Sequence, residues 1–166
     1  MFPEKVKPEL PAGFRDMTPE DMILRRFILT TLISVFERYG FEPFSSSTVQ
    51  FLSVLFGSDE WTDMAYYRVH NTRRRDRGGR ADTGLKFDQT VALGRFVAEY
   101  YEELPRPFLR YEIGQAYRGE KPTMTRFCEF TQCDVDMIFA PGMISDAQII
   151  ALMDECFRAL GVTTHR

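Results

Sequence analysis

The stretch RFCEFTQCDVDM, residues 126–137, largely alternates charged or amide side chains with apolar ones over twelve residues. A period of two is the period of a β-strand, in which every second residue shares a face. One face then carries Arg126, Cys128, Phe130, Gln132, Asp134 and Asp136. The other carries Phe127, Glu129, Thr131, Cys133, Val135 and Met137 and is the more apolar. FLRYEIGQAYRG, residues 108–119, reads as an antiparallel partner joined through EKPTMT, with Glu112, Gly114, Ala116, Arg118 and Glu120 as its matching row. A hairpin this long needs a helix over its apolar face and leaves the other face as a polar floor. The small Gly114 and Ala116 are expected to clear space in the middle of that floor, with Arg118 and Arg126 near one end.

The cover comes from the first half of the chain. Thr18 is a good N-cap, Pro19 suits the first helical position, and Asp21 stands where a capping box wants an acid. Met22, Ile23, Phe27, Ile28, Leu32, Val35, Phe36 and Tyr39 follow at helical spacing, and Gly40 stops the helix. This predicts one long amphipathic helix with a single core face, preceded by a Pro-rich arm over residues 1–17. FEPFSSSTV (41–49) reads as a strand and FLSVLFG (51–57) as a short apolar helix or turn. AYYRVHN (65–71) and TGLKFD (83–88) read as strands around a loop. QTVALGRFVAEYYEEL (89–104) is a helix offering Val91, Leu93, Phe96, Val97 and Tyr100 for burial. A last helix is expected from Ser145 to Leu160, with Asp146 near its start. The class is α+β: an antiparallel β-sheet flanked by helices.

At 166 residues and 44% hydrophobic content, the chain suits one compact domain. A net charge of −3 gives no global attraction to nucleic acid or membrane. No apolar run has the length of a membrane span and MFPEKVKPELP lacks a signal-peptide core, so a cytoplasmic protein is expected. Cys128, Cys133 and Cys156 form no disulfide framework, and with His70 and His165 they lack zinc-ligand spacing, so no metal ligands are expected. TRRRDRGGR brings Arg73, Arg74, Arg75, Arg77 and Arg80 together; such a run either touches a phosphate backbone or is a solvated hairpin loop around Asp76 and Gly78-Gly79.

From the residues alone, the floor can bind an anion through its arginines, stack a planar ring on Phe130 and hold an ammonium group with carboxylates. It can equally be an exposed polar sheet face, and periodicity does not choose.

Order does. PAGFRD, a long helix, VFERYGFEPF, LKFDQTVALGRFVA, YEIGQAYRGEKPTMTRFCEFTQCDVD and DAQII follow one another in a series that resembles histidyl-tRNA synthetase over residues 10–160. The resemblance implies the N-terminal part of a class II aminoacyl-tRNA synthetase core: a single domain over residues 1–166 holding the first two class motifs. The third motif, the histidine-specific segment and an anticodon-binding domain are expected to be absent. It implies ATP with Mg2+ and histidine as substrates, tRNA(His) as partner of the intact enzyme, and a homodimer through the first motif, VFERYGFEPFSSSTVQ. Within YRGEKPTMTRFCEF it implies that Arg118 contacts the α-phosphate and the substrate carboxylate as the catalytic charge. Arg126 would hold the outer phosphates, Glu120 the adenine side, and Phe130 would stack on adenine. Asp88 and Thr90 fall where the family binds the histidine α-amino group, and Gln132 and Asp136 complete that pocket.

The chain departs from the family pattern at Ser47, usually Pro; at Gln50, usually Glu; and at Thr125 and Cys128, usually Gly and Arg. Lys86 also stands in place of an Arg. Loss of the second loop Arg removes a cation from the phosphate site, and little or no histidine activation is expected of this chain alone. Three functions therefore stay open: a histidine–tRNA ligase core, a synthetase-like regulatory subunit of ATP phosphoribosyltransferase, and a diverged non-catalytic paralogue.

Overall fold

The structure is a computed structural model that describes residues 7–56, 66–70 and 82–163. Helix α1 runs Pro19–Arg38 and begins as its sequence dictates. The Thr18 hydroxyl accepts from the Asp21 amide while the Asp21 carboxylate accepts from the Thr18 amide, so two otherwise orphaned donors are satisfied. Gly40, at a φ of 84°, turns the chain out of the helix in a conformation that side chains resist.

Two short strands follow, β1 at Glu42–Pro43 and β2 at Val49–Phe51, then α2 at Leu52–Phe56. The single strand expected over 41–49 is thus two pieces in two sheets, because the serine-rich middle breaks away. β3 (Arg68–Val69) and β4 (Thr83–Leu85) are shorter than the segments read as strands. α3 occupies Gln89–Glu99, ending before Tyr100, which is exposed rather than buried. β5 (Phe108–Tyr117) and β6 (Glu129–Ile138) form the long hairpin, and α4 spans Met143–Ala159.

The hairpin is antiparallel over its full length, with Gly114 opposite Gln132 and Ala116 opposite Phe130. β1 joins it as a parallel edge, giving the order β1-β5-β6, while β2-β4-β3 form a separate antiparallel sheet. The α+β class holds, with one parallel pair inside a mainly antiparallel arrangement. β6 starts three residues later than expected. The Cys128 amide donates to the Gly13 carbonyl of the N-terminal arm instead of to the hairpin, so Arg126, Phe127 and Cys128 belong to the connecting loop.

The apolar back of the hairpin packs as predicted. Val35, Phe36 and Phe41 meet Tyr111 and Leu152, with Leu109, Ile113, Val135 and Met137 closing the cluster. The helix differs from expectation in its first half: Met22, Ile23 and Phe27 remain 46%, 62% and 57% exposed. The sheet beneath is too narrow to cover α1 from end to end. Hollows of about 520 and 600 Å³ accordingly open along this half of the helix, the larger against the back of the hairpin.

Candidate functional site

The polar floor is built where the N-terminus of α3 meets the front of the hairpin. Asp88 caps α3: its Oδ1 accepts from the Thr90 amide at 2.6 Å. Its Oδ2 accepts from the Gln132 side-chain amide at 3.1 Å, so one carboxylate serves both the helix and the floor. The same Gln132 amide donates to Asp134 Oδ2 at 3.0 Å, and its own oxygen is buried without a hydrogen-bond partner. Both amide hydrogens are thereby spent on carboxylates, and the group keeps a buried acceptor without a partner.

Three carboxylates crowd this corner, and their titration reflects it. Burial pushes Asp88 up, but hydrogen bonds from Gln132 and Thr90, with the Arg118 charge, outweigh it and hold this carboxyl below its ordinary range. Burial pushes Asp134 up, aided by the charges of Asp88 and Asp136. Asp136 is also raised, burial exceeding the pull of Arg110. An acceptor-rich, electronegative corner of this kind suits an ammonium or another N–H cation.

Arg118 lies just beyond β5. Its Nε donates to the Phe87 carbonyl at 3.2 Å, and its guanidinium sits 5.0 Å from the centre of the Phe130 ring. It makes no ion pair with a carboxylate among the described residues, so its charge is available. A planar base stacked on Phe130 would therefore carry its phosphate close to a cation already in place.

The structure thus gathers Asp88, Thr90, Gln132, Arg118 and Phe130, with Asp136 two residues along the same row. Arg126 and Glu120 are placed otherwise. Arg126 is not on the strand row; in the loop its Nη1 pairs with Glu120 Oε2 at 2.9 Å, both side chains being largely exposed. Cys128, standing where the family has Arg, is buried, its thiol donating to the Glu120 carbonyl. The arginines 73–80 lie outside the described residues.

Four residues beneath the floor have no place in the site as read from the sequence, although Glu112 reads onto the row and Lys86 as a departure from the family pattern. Lys86 and Glu112 form an ion pair of 2.7 Å with 3% and 1% of their side chains exposed, joined by the Ser46 amide and hydroxyl. Arg110, fully buried, reaches Asp136 at 2.5 Å and Glu112 at 3.7 Å. Gln89, also fully buried, donates to the carbonyls of Gly114 and Gln132 and so ties α3 to both hairpin strands. Gly114 does not open space in the floor as expected; it admits this amide. The signal was there in part, since glycine inside a strand marks a close approach.

A Cβ at Gly114 would stand 3.1 Å from Gln89 Nε2. The amide cannot yield without stretching both of its bonds. Gly114→Ala is expected to destabilise the chain by about 1–2 kcal/mol in urea denaturation, the cost of overpacking plus weakened hydrogen bonds.

Comparison with known proteins bears on this geometry directly. The sequence model of the family described as Histidyl-tRNA synthetase matches residues 13–166. The histidine–tRNA ligase of Wolinella succinogenes is 38% identical over 159 residues, covering 95% of this chain and 34% of that protein. The crystal structure of histidyl-tRNA synthetase from Nostoc sp. PCC 7120 aligns with a TM-score of 0.79 at 32% identity, covering 92% of this chain and 34% of that one. An ATP phosphoribosyltransferase regulatory subunit/histidyl-tRNA synthetase from Bacillus halodurans C shares the fold, with a TM-score of 0.80 at 20% identity, covering 96% of this chain and 40% of that one. The chain spans about a third of the length of the curated relatives it matches. The match to the family takes in the capped helix, the α3 N-terminus and both strands of the hairpin, so the residues that build the floor fall within it: the chain belongs to the histidyl-tRNA synthetase family.

Proposed function

We infer that this chain carries the histidine- and ATP-binding floor of a histidine–tRNA ligase. The observation that carries this reading is the juxtaposition of an unpaired arginine over an aromatic ring with an acceptor-only corner built from Asp88, Gln132 and Asp136. In that reading the acid corner holds the histidine α-amino group and ring. Phe130 supports adenine, and Arg118 contacts the α-phosphate and the substrate carboxylate. One histidine carboxylate oxygen attacks the α-phosphorus, the bond to the β-phosphate oxygen breaks, and pyrophosphate leaves with Mg2+. Arg118 lowers the barrier by standing beside the charge that develops at the α-phosphate. Glu120 and Arg126 serve the adenine side and the outer phosphates once their mutual pair opens. Transfer to tRNA(His) follows in the intact enzyme.

The exposed apolar residues of α1, with Val49 and Phe51 of β2 at 42% and 57% exposure, support a homodimer through this region. No helix among the described residues is long and apolar enough to cross a membrane, which accords with a cytoplasmic ligase.

A second reading is favoured by one observation. Cys128 is turned into the arm and supplies no cation to the phosphates, as would suit a histidine-binding regulatory subunit that no longer handles ATP. Calorimetry separates the two. Saturable binding of a non-hydrolysable histidyl-adenylate analogue, tighter than histidine alone by about tenfold or more, is expected for the ligase floor. Equal affinities would favour the regulatory reading, and binding of neither would reject both.

A further inference from the structure

We propose that Arg110, which lies beneath the floor and is out of reach of any ligand, is a positioning residue for substrate recognition. It holds the Asp136 carboxylate by one oxygen and leaves the other for an incoming N–H. This rests on the histidine-pocket reading of Asp136 given above.

The geometry is specific. Arg110 stands directly opposite Asp136 in the β5–β6 register. Its Nη2 is 2.5 Å from Asp136 Oδ2, and that oxygen is buried. The Asp136 side chain nevertheless keeps 29% of its surface exposed on the floor, which leaves Oδ1 to face a ligand. On its other side the guanidinium lies 3.7 Å from Glu112 and 5.7 Å from the centre of the Phe44 ring.

Two features argue against a merely structural cation. The guanidinium has no exposure and its hydrogen bonding is poorly directed, so it is held chiefly by the charges of Asp136 and Glu112. Such a residue contributes little stability compared with an apolar side chain of the same volume. What it does supply is a fixed counter-charge for Asp136, held by one oxygen while the side chain stays partly exposed on the floor. The groups facing Asp136 are Arg110 and Glu112 from β5, Asp134 from β6 and Asp88 at the start of α3. Arg110 is the only cation among them, the Lys86 ammonium being engaged with Glu112.

The sign of the effect follows. Three like charges and burial already favour the protonated carboxyl; removing the one opposing charge favours it further. A protonated Asp136 offers a donor where the ligand also brings a donor. Histidine binding should then be lost most at low pH and recover as the carboxyl ionises.

The test uses the full chain as Arg110→Met and as the charge-retaining Arg110→Lys. Histidine affinity is measured by calorimetry from about pH 6 to about pH 8, as the ratio of parent to variant so that the ligand's own titration cancels. Arg110→Met is expected to bind about tenfold or more weakly at the acid end, with the deficit narrowing toward the alkaline end. Arg110→Lys should fall between Met and the parent. A deficit that does not change with pH, or no deficit, overturns the proposal. The Asp136 carboxyl carbon, followed by NMR without ligand, gives a second readout that does not need the histidine reading to hold. Its midpoint should rise by about one pH unit or more in Arg110→Met and by less in Arg110→Lys, and an unmoved midpoint in Arg110→Met overturns the proposal even if the parent binds no histidine. Absence of histidine binding in the parent, with a shifted midpoint, would instead reject the ligand assigned to the pocket.

Discussion

Replacing Glu112 by alanine is expected to cost the fold about 3–5 kcal/mol. Glu112 is the only acid in contact with Lys86 and one of two in contact with Arg110 among the described residues, and all three side chains are within a few per cent of complete burial. Its removal leaves an ammonium without a counter-charge in a low-dielectric setting. It also takes the acceptor from the Ser46 amide and hydroxyl. A domain of ordinary stability has only about 5–15 kcal/mol to lose, so the urea midpoint should fall by about 1–3 M. The double replacement Lys86→Met with Glu112→Leu should recover the part of the loss that comes from the unpaired ammonium, the Ser46 donors staying without their acceptor. A drop below about 1 kcal/mol in the single variant would show that Lys86 finds another partner or water, and that the cluster is not the keystone of the two-sheet junction.

That junction also shows what could and could not be read from the chain. The hairpin was legible because a largely alternating pattern over so many residues has few other solutions, and because the back row was apolar enough to demand a cover. The start of α1 was legible because Thr18, Pro19 and Asp21 each have a local reason to stand where they do. Asp88 was open between helix cap and ligand; its two oxygens do both.

The buried charges were not legible. Lys86 and Glu112 are separated by 26 residues, Glu112 lying on β5 and Lys86 just past the end of β4 in the other sheet. On a strand pattern, Glu112 is indistinguishable from a solvated member of a polar row. Arg126 was misplaced for a related reason. The sequence reads as strand through residues 126–128, but the Cys128 amide goes to the arm while only its carbonyl still accepts from the Arg118 amide, and only the tertiary structure records that. Local pattern fixes which face a side chain takes; long-range competition for backbone donors decides where the strand begins. The exposed first half of α1 teaches the same distinction, because amphipathic spacing says that a face is apolar and not that this chain covers it.

Arg118→Ala is expected to weaken binding of a non-hydrolysable histidyl-adenylate analogue by about 10- to 100-fold while leaving stability within about 1 kcal/mol of the parent. The asymmetry is the point. Among the described residues the Arg118 side chain has one hydrogen bond, to the Phe87 carbonyl, and a cation–π contact with Phe130, so its loss costs the fold little. An anionic phosphate placed beside it would gain a charge-assisted bond with nothing to displace. Arg126 is the internal contrast. Its guanidinium is already paired with Glu120 in an exposed loop, so recruiting it to a phosphate means opening that pair. Arg126→Ala should therefore cost the analogue less than about tenfold. Histidine alone, held mainly by the acid corner, should lose less in Arg118→Ala than the adenylate analogue does. Equal losses for the two ligands would mean that Arg118 acts through the carboxylate and not the phosphate. No loss for either would remove it from the site.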